Sequence, residues 1–414
     1  MAPLAYDAPS WTTLLYQQPQ AARAQAQRWV ADAQAGMERV SAQGLLAQAL
    51  AACGELEQAL STARQCEEQA SREADAQHVV AQLFLADILR QLGWQEACQA
   101  MLRAAFERAR REGFDETLPD LPEMMARLCS EALDAGVEID YVKRLIRLRQ
   151  LRPHKADTPH WPWPVRIFTL GGFYLVCEDQ PLAFNGKSPR KALDLLQALI
   201  AQGGREVHTT RLMQTVWPDE SSSNLRNLFD NTLHRLRRLL GHNEVLHLHD
   251  AKLTLDADHC WVDAWAFEHL TTSRVHGSED GSRREDAFSE SGAQAALRLY
   301  QGHFLQSEAE QPWSLPYRDR LRNRFQRLVR ALGARLESAG QWEAAIEVYE
   351  RGIEIDNLAE SFYQRLMFCH HQRGEHAESV RVYRRCRELL SIVLGISPSA
   401  ATEEIRRACV QSAS

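Results

Sequence analysis

The chain has 414 residues, 45% of them hydrophobic and 25% charged, with a formal net charge of −7. That length predicts two to four domains of roughly 100–200 residues each, with ordinary globular cores. The acidic sum argues against indiscriminate nucleic-acid binding, no apolar run approaches the ~20 residues that span a bilayer, and the N-terminus lacks the basic and apolar segments of a signal peptide.

In chain order, residues 1–20 carry no strong periodicity and are expected to be partly disordered. Residues 21–152 are rich in Ala, Gln, Glu, Arg and Leu and poor in β-branched residues, which predicts a helical domain. Residues 1–152 hold 16 Lys/Arg against 21 Asp/Glu, a balance of −5. Gly54-Glu-Leu-Glu-Gln-Ala-Leu and Gly93-Trp-Gln-Glu-Ala-Cys are helix-pair signatures. In each a glycine ends one helix, and a small residue five positions on (Ala59, Cys98) lets the next pack closely. Their spacing exceeds the tetratricopeptide period, so a divergent helical repeat is expected. Four prolines between Arg152 and Pro164 cannot continue a helix, and residues 153–164 read as a stiff Pro/Trp linker.

Residues 165–258 read as a winged helix. Val165–Leu170 and Phe173–Cys177 are two short strands around Gly171-Gly172. Pro189–Ala201 is a helix led by Ser188, and Thr209–Val216 is a second, stopped by Trp217-Pro218. The third runs from Ser221 to Gly241, where serines can accept from free backbone N–H groups and a glycine can close the last turn. Val245–His249 and Lys252–Leu255 then flank Asp250-Ala251 as a hairpin. Strands, three helices and a terminal hairpin mark the response-regulator type of winged helix-turn-helix.

In the third helix Leu225, Leu228, Phe229, Leu233, Leu236, Leu239 and Leu240 fall on one side at helical spacing. The far side carries Asn227, Asp230, Asn231, His234 and Arg238, with Arg226, Arg235 and Arg237 on the flanks. Amides pair with base edges and guanidinium groups suit phosphate and guanine. Asn227, Asn231, His234 and Arg238 are therefore candidate base readers. Arg226, Arg235, Arg237 and Lys252 are candidate phosphate or minor-groove contacts. A solvated amphipathic helix would show the same periodicity. Residues 165–270 hold 11 Lys/Arg against 13 Asp/Glu, so one copy is expected to bind DNA modestly and to need a second copy or another protein.

Residues 259–414 read as a second helical-repeat domain, with a polar loop at 277–292. Gly340-Gln-Trp-Glu-Ala-Ala-Ile-Glu-Val-Tyr349 aligns with Gly374-Glu-His-Ala-Glu-Ser-Val-Arg-Val-Tyr383 at the tetratricopeptide period. The fold class expected is mainly α with a small α+β domain, a winged helix between two tetratricopeptide-like domains.

Catalytic signatures are missing. Asn185-Gly186-Lys187-Ser188 resembles the end of a phosphate-binding loop, but Pro181 stands where the first glycine is required. Histidines 242, 247, 249 and 259 lie in a polar hairpin without ligand-like cysteines, and the nine cysteines include no C-x-x-C pair. Neither pattern suits zinc, and dispersed thiols suit a reducing, cytoplasmic setting. Trp161 and Trp163 could stack on bases or pack the linker onto a domain. No enzyme activity, metal or cofactor is expected.

Residues 165–407 resemble the bacterial transcriptional activator domain family, typified by the Streptomyces antibiotic regulatory proteins. The matching stretches are Val165-Arg-Ile-Phe-Thr-Leu-Gly, Leu233-His-Arg-Leu-Arg-Arg-Leu-Leu-Gly241, Leu253-Thr-Leu-Asp…Trp261-Val-Asp…Phe267, Tyr300-Gln-Gly-His-Phe-Leu and Tyr383-Arg-Arg-Cys-Arg-Glu-Leu-Leu…Leu394-Gly-Ile-Ser-Pro398. Asp356-Asn357 departs from the Asp-Pro of many relatives. Glu131–Arg147 resembles the end of the helical-repeat region in large ATP-dependent LuxR-like activators. Those carry an upstream nucleotide-binding module without a counterpart here, so a short regulator and part of a longer polypeptide both remain open. The resemblance implies a cytoplasmic activator that reads double-stranded promoter DNA with Ser221–Leu240 and places its wing, Val245–Leu255, at the minor groove. It also implies a helical domain that helps DNA binding, self-association or contact with RNA polymerase. A small-molecule or protein effector is expected at the N-terminal repeats, and no membrane partner is expected from the hydropathy. The alternative is a helical scaffold whose winged helix binds protein.

Overall fold

The computed structural model describes residues 8–34, 36–72, 74–153, 158, 160–183, 189–272, 290–308 and 311–411. The chain divides into two units, residues 1–162 and 163–414. The first is a succession of helices: α1 (Ala8–Gln17), α2 (Pro19–Asp32), α3 (Met37–Ala52), α4 (Leu56–Ala70), α5 (Asp75–Gln91), α6 (Gln95–Glu112), α7 (Pro122–Asp134) and α8 (Ile139–Leu148). Small residues let them approach: a Cβ on Gly44 of α3 would lie 2.2 Å from the Phe84 ring of α5. Ala59 and Cys98, the small residues of the two glycine signatures, are fully buried.

The disorder expected for residues 1–20 is corrected for 8–20, which form α1 and the start of α2. Trp11 is 3% exposed, its ring centroid 5.3 Å from that of Trp29, and its Nε1 donates to Gln48 Oε1 of α3 at 3.5 Å. One buried aromatic orders a helix too short to persist alone.

In the second unit β1 (Val165–Phe168), β2 (Tyr174–Cys177) and β3 (Gln180–Pro181) lead to α9 (Arg190–Ala201), β4 (Val207–His208), α10 (Thr209–Val216) and α11 (Ser222–Leu240). The hairpin of β5 (Leu246–His249) and β6 (Lys252–Leu255) follows, then β7 (Cys260–Val262). The sheets have the orders β3-β2-β1-β7 and β4-β6-β5. Pro189 is the N-cap of α9, so the helix starts beyond Ser188, and residues 185–188 lie outside the described residues.

Helices α12 (Asp263–Thr272), α13 (Glu290–Leu299), α14 (Leu315–Ser338), α15 (Trp342–Ile355), α16 (Glu360–Gln372), α17 (His376–Leu389) and α18 (Ala400–Gln411) complete the unit. Of the 277–292 loop only the last three residues are described, and they open α13. The two aligned glycines do the same work. Gly340 and Gly374 have φ of +70° and +76°. In each case the next residue's N–H reaches back to the carbonyl five positions earlier, Gln341 to Leu336 and Glu375 to His370, both at 2.9 Å. This left-handed closure turns one helix into the next. The chain is thus mainly helical with a small α+β part, a winged helix followed by tetratricopeptide-like helices.

The boundary drawn at residue 258 cuts through a sheet. Residues 260–262 pair in parallel with Val165–Ile167 and complete the winged-helix sheet before the chain enters α12. The Asp263 carboxylate, 2% exposed, caps that helix. Its Oδ2 accepts from the N–H groups of Thr169 and Leu170 at 2.7 and 2.8 Å. Its Oδ1 accepts from the Thr169 hydroxyl at 2.6 Å and the Ala264 N–H at 2.7 Å. Nearby, Gly171 N–H donates to His303 O at 3.1 Å and Leu305 N–H to Thr169 O at 2.8 Å. A Cβ on Gly302 would come within 2.7 Å of Gly171 Cα, so the two backbones meet only because neither residue has a side chain. One apolar core runs from Val165 to Leu390.

Burial pushes the Asp263 carboxyl up to about 6, against the donors around it. The Thr169 hydroxyl can reverse its role and accept from the protonated acid. An unfolded aspartate titrates near ~3.9, so the folded chain holds more protons between the two values. Stability of this unit therefore falls as pH rises from about 4 to 6 and levels off above. In urea denaturation at a series of pH values, Asp263→Asn should lack this slope. Asp263→Ala, which strands several buried donors, should lower the unfolding free energy by roughly 2–4 kcal/mol at neutral pH.

Candidate nucleic-acid interface

The third helix forms where its pattern places it. Ser221 is the N-cap by position, but its side chain does not make the expected capping hydrogen bond; its carbonyl accepts from Asn224 and Leu225, and Gly241 ends the helix at φ +74°. Phe229, Leu233, Leu236 and Leu240 are buried, while Leu225, Leu228 and Leu239 pack against the core from its margin. At ~100° per residue, Asn227, Asn231, His234 and Arg238 fall within an arc of ~60° on the opposite side. All four are exposed.

The flanking cations separate into three kinds. Arg226 is exposed but paired to Asp230 at 3.1 Å, an i,i+4 contact on the same helix. Arg235, like Arg238, is exposed and makes no ion pair among the described residues. Arg237 is half-buried, and its Nη2 donates at 3.0 Å to the carbonyl of Leu246, the first residue of β5. This candidate phosphate or minor-groove contact thus also ties α11 to the hairpin. Lys252 at the wing pairs with Glu206 at 3.2 Å, both groups reaching solvent. Such a surface pair is worth little and can exchange for a phosphate. Arg211 is a further exposed cation of this domain. On α10 it is exposed beside buried Thr209, Leu212 and Val216, a pattern too short to stand out from two turns of helix.

The wing turns at Asp250 and Ala251, with φ of +48° and +56° between the paired residues His249 and Lys252. Two positive φ values in a two-residue loop match the twist of a hairpin. The four histidines do not converge. His247 and His259 both contact Asp256 Oδ2, at 3.0 and 3.1 Å, while His242 meets Glu178 and His249 meets Asp250. Burial raises the Asp256 carboxyl, but the Asp258 N–H and the two imidazoles outweigh it, and the net shift is downward. This acid pins the base of the wing to the segment entering β7. Trp161 and Trp163 are both buried, so neither ring is available to stack on bases.

A family model, the bacterial transcriptional activator domain, matches residues 262–409. No curated protein matches the chain. Among solved structures, Mycobacterium tuberculosis EmbR in complex with a low-affinity phosphopeptide is 18% identical, with a TM-score of 0.43. The match covers 60% of this chain and 66% of that one, so the chain spans just under two thirds of that relative's length. The TPR2AB domain of yeast Sti1 in a pHSP90 complex is 12% identical, covering 91% of this chain and all of that one at a TM-score of 0.23.

The two kinds of arginine should part on mutation. Arg237→Ala removes the tie to the wing and should cost about 1–2 kcal/mol in a chemical denaturation curve. Arg238→Ala, exposed and unpaired, should stay within about 0.5 kcal/mol of the parent. Equal losses would remove the distinction.

Proposed function

We propose that this chain, whose residues 262–409 are a bacterial transcriptional activator domain, is a sequence-specific DNA-binding regulator of promoters. The observation that carries this reading is the exposed Asn227, Asn231, His234 and Arg238 face, on the third helix of a winged helix and opposite that helix's buried stripe. Laid in a major groove, amides and an imidazole reach base edges and Arg238 reaches guanine. Arg235 meets phosphate without first breaking an ion pair. Arg226 and Lys252 must exchange a carboxylate for one. The wing hairpin, held by Arg237 and by the Asp256 clasp, lies at the neighbouring minor groove.

With so few uncompensated cations on the helix, one copy binds weakly, and self-association or RNA polymerase supplies the remaining affinity. Residues 8–148 form the helical unit that takes a small-molecule or protein effector. Among the described residues no helix is long and apolar enough to cross a membrane. A winged helix that binds protein is the second reading, favoured by the near-neutral sum of this region.

A salt titration of binding to the chain's own upstream DNA separates the two. The regulator shows specific binding that falls steeply with salt, whereas no binding at low salt leaves the protein-binding scaffold. Asn231→Ala should relax discrimination at one base pair by ~1–3 kcal/mol, and Arg235→Ala should weaken all sequences alike and flatten the salt slope by about one. If Asn231→Ala and Arg238→Ala both bind the promoter like the parent, α11 does not face the bases.

A further inference from the structure

Beyond α11, the second unit displays an apolar surface that its own core does not use. At the end of α17 the chain widens into a π turn, Leu390–Leu394, of the kind often found at functional sites. Leu390 is buried beneath it. Ile392 is 81% exposed, and Val393, Leu394 and Ile396 are each at least half exposed. Single exposed aliphatics are ordinary, but four within five residues concentrate apolar surface at one turn.

The patch is held in place. Ile396 N–H returns to Leu390 O at 3.3 Å, and Gly395 closes the turn at φ +67°. Downstream, Ser399 N–H donates to Glu360 Oε1 at 2.7 Å and the Thr402 hydroxyl bonds the same oxygen. The aliphatic side chains are thus presented to solvent on a turn fixed at both ends.

The charge around the patch selects its occupant. Arg384, Arg385 and Arg387, on the two turns of α17 leading into it, are exposed. They make no ion pair among the described residues. Arg381 is paired to Glu378 at 2.8 Å, and on α17 itself the acid without an ion pair among the described residues is Glu388. An apolar centre with a basic margin fits an amphipathic helix whose apolar stripe is edged by carboxylates. We propose that the Ile392–Ile396 turn and Arg384, Arg385 and Arg387 form a docking site for an acidic amphipathic helix of a partner protein. The site lies on α17, apart from the DNA-reading helix, and does not depend on that reading.

The probe is a fluorescent synthetic helix about four turns long, with leucine on one stripe and glutamate beside it. Its control carries lysine in place of glutamate. Titrated with the full chain, the glutamate helix should bind more weakly as salt rises, and the lysine helix should bind at least about tenfold more weakly. Ile392→Asp, and separately Arg384→Glu with Arg385→Glu, should each raise the Kd for the glutamate helix about tenfold or more. An unchanged thermal midpoint shows that these exposed substitutions leave the fold intact. Unchanged promoter binding by Ile392→Asp would separate this site from the DNA interface. Equal binding of the two helices, or parental affinity in Ile392→Asp, overturns the proposal. So does light scattering that shows a dimer of the parent and a monomer of Ile392→Asp, because the patch is then covered by a second copy.

Discussion

The second unit depends on one buried carboxylate. Asp263 stands at the start of α12, where unsatisfied N–H groups favour an acceptor. It also takes the two N–H groups at the end of β1 that the sheet leaves unpaired. Burial costs the charged form and the donors offset part of that cost, so the residue serves two elements with one side chain. The arrangement binds the winged-helix sheet to α12. Gly171 against Gly302 and the pairing of β1 with β7 extend this seam.

That seam bears on how the surfaces of this unit are arranged. A winged helix on a flexible tether would turn without regard to what its helical repeats contact. Here the core under α11 is continuous with the core of α14–α17. Helix α11, the β5–β6 hairpin and the repeats of this unit therefore present their surfaces in fixed relation. Arg237 and Asp256 continue the same logic outward, fastening the wing to the helix and to the strand that enters α12. Two carboxylates and one guanidinium thus do for orientation what the apolar core does for stability.

The sequence was most legible where one periodicity acted alone. Thr209–Val216 is helical as expected, and the Ser221–Gly241 frame returns with its N-cap and terminal glycine. The aligned Gly340 and Gly374 repeats end their helices identically, because a left-handed closing residue is a local requirement. Legibility failed where a partner from far along the chain decided. Trp11 gives no periodic signal, yet it orders α1 by burial against Trp29 and Gln48. Arg237 could not be told from Arg235 and Arg238 by spacing, because only the arrival of Leu246 beside it turns a free cation into a fastening.

What the sequence by itself determined was the order and kind of elements, the buried stripe of α11 and the polar face opposite, since helical pitch and turn chemistry are properties of neighbouring residues. The tertiary structure decided which charged groups remain available. It paired Arg226 with Asp230, anchored Arg237, left Arg235 and Arg238 open and drew residues 260–262 into the winged-helix sheet. Those outcomes depend on which groups meet in space, and a residue's charge alone does not say what stands next to it.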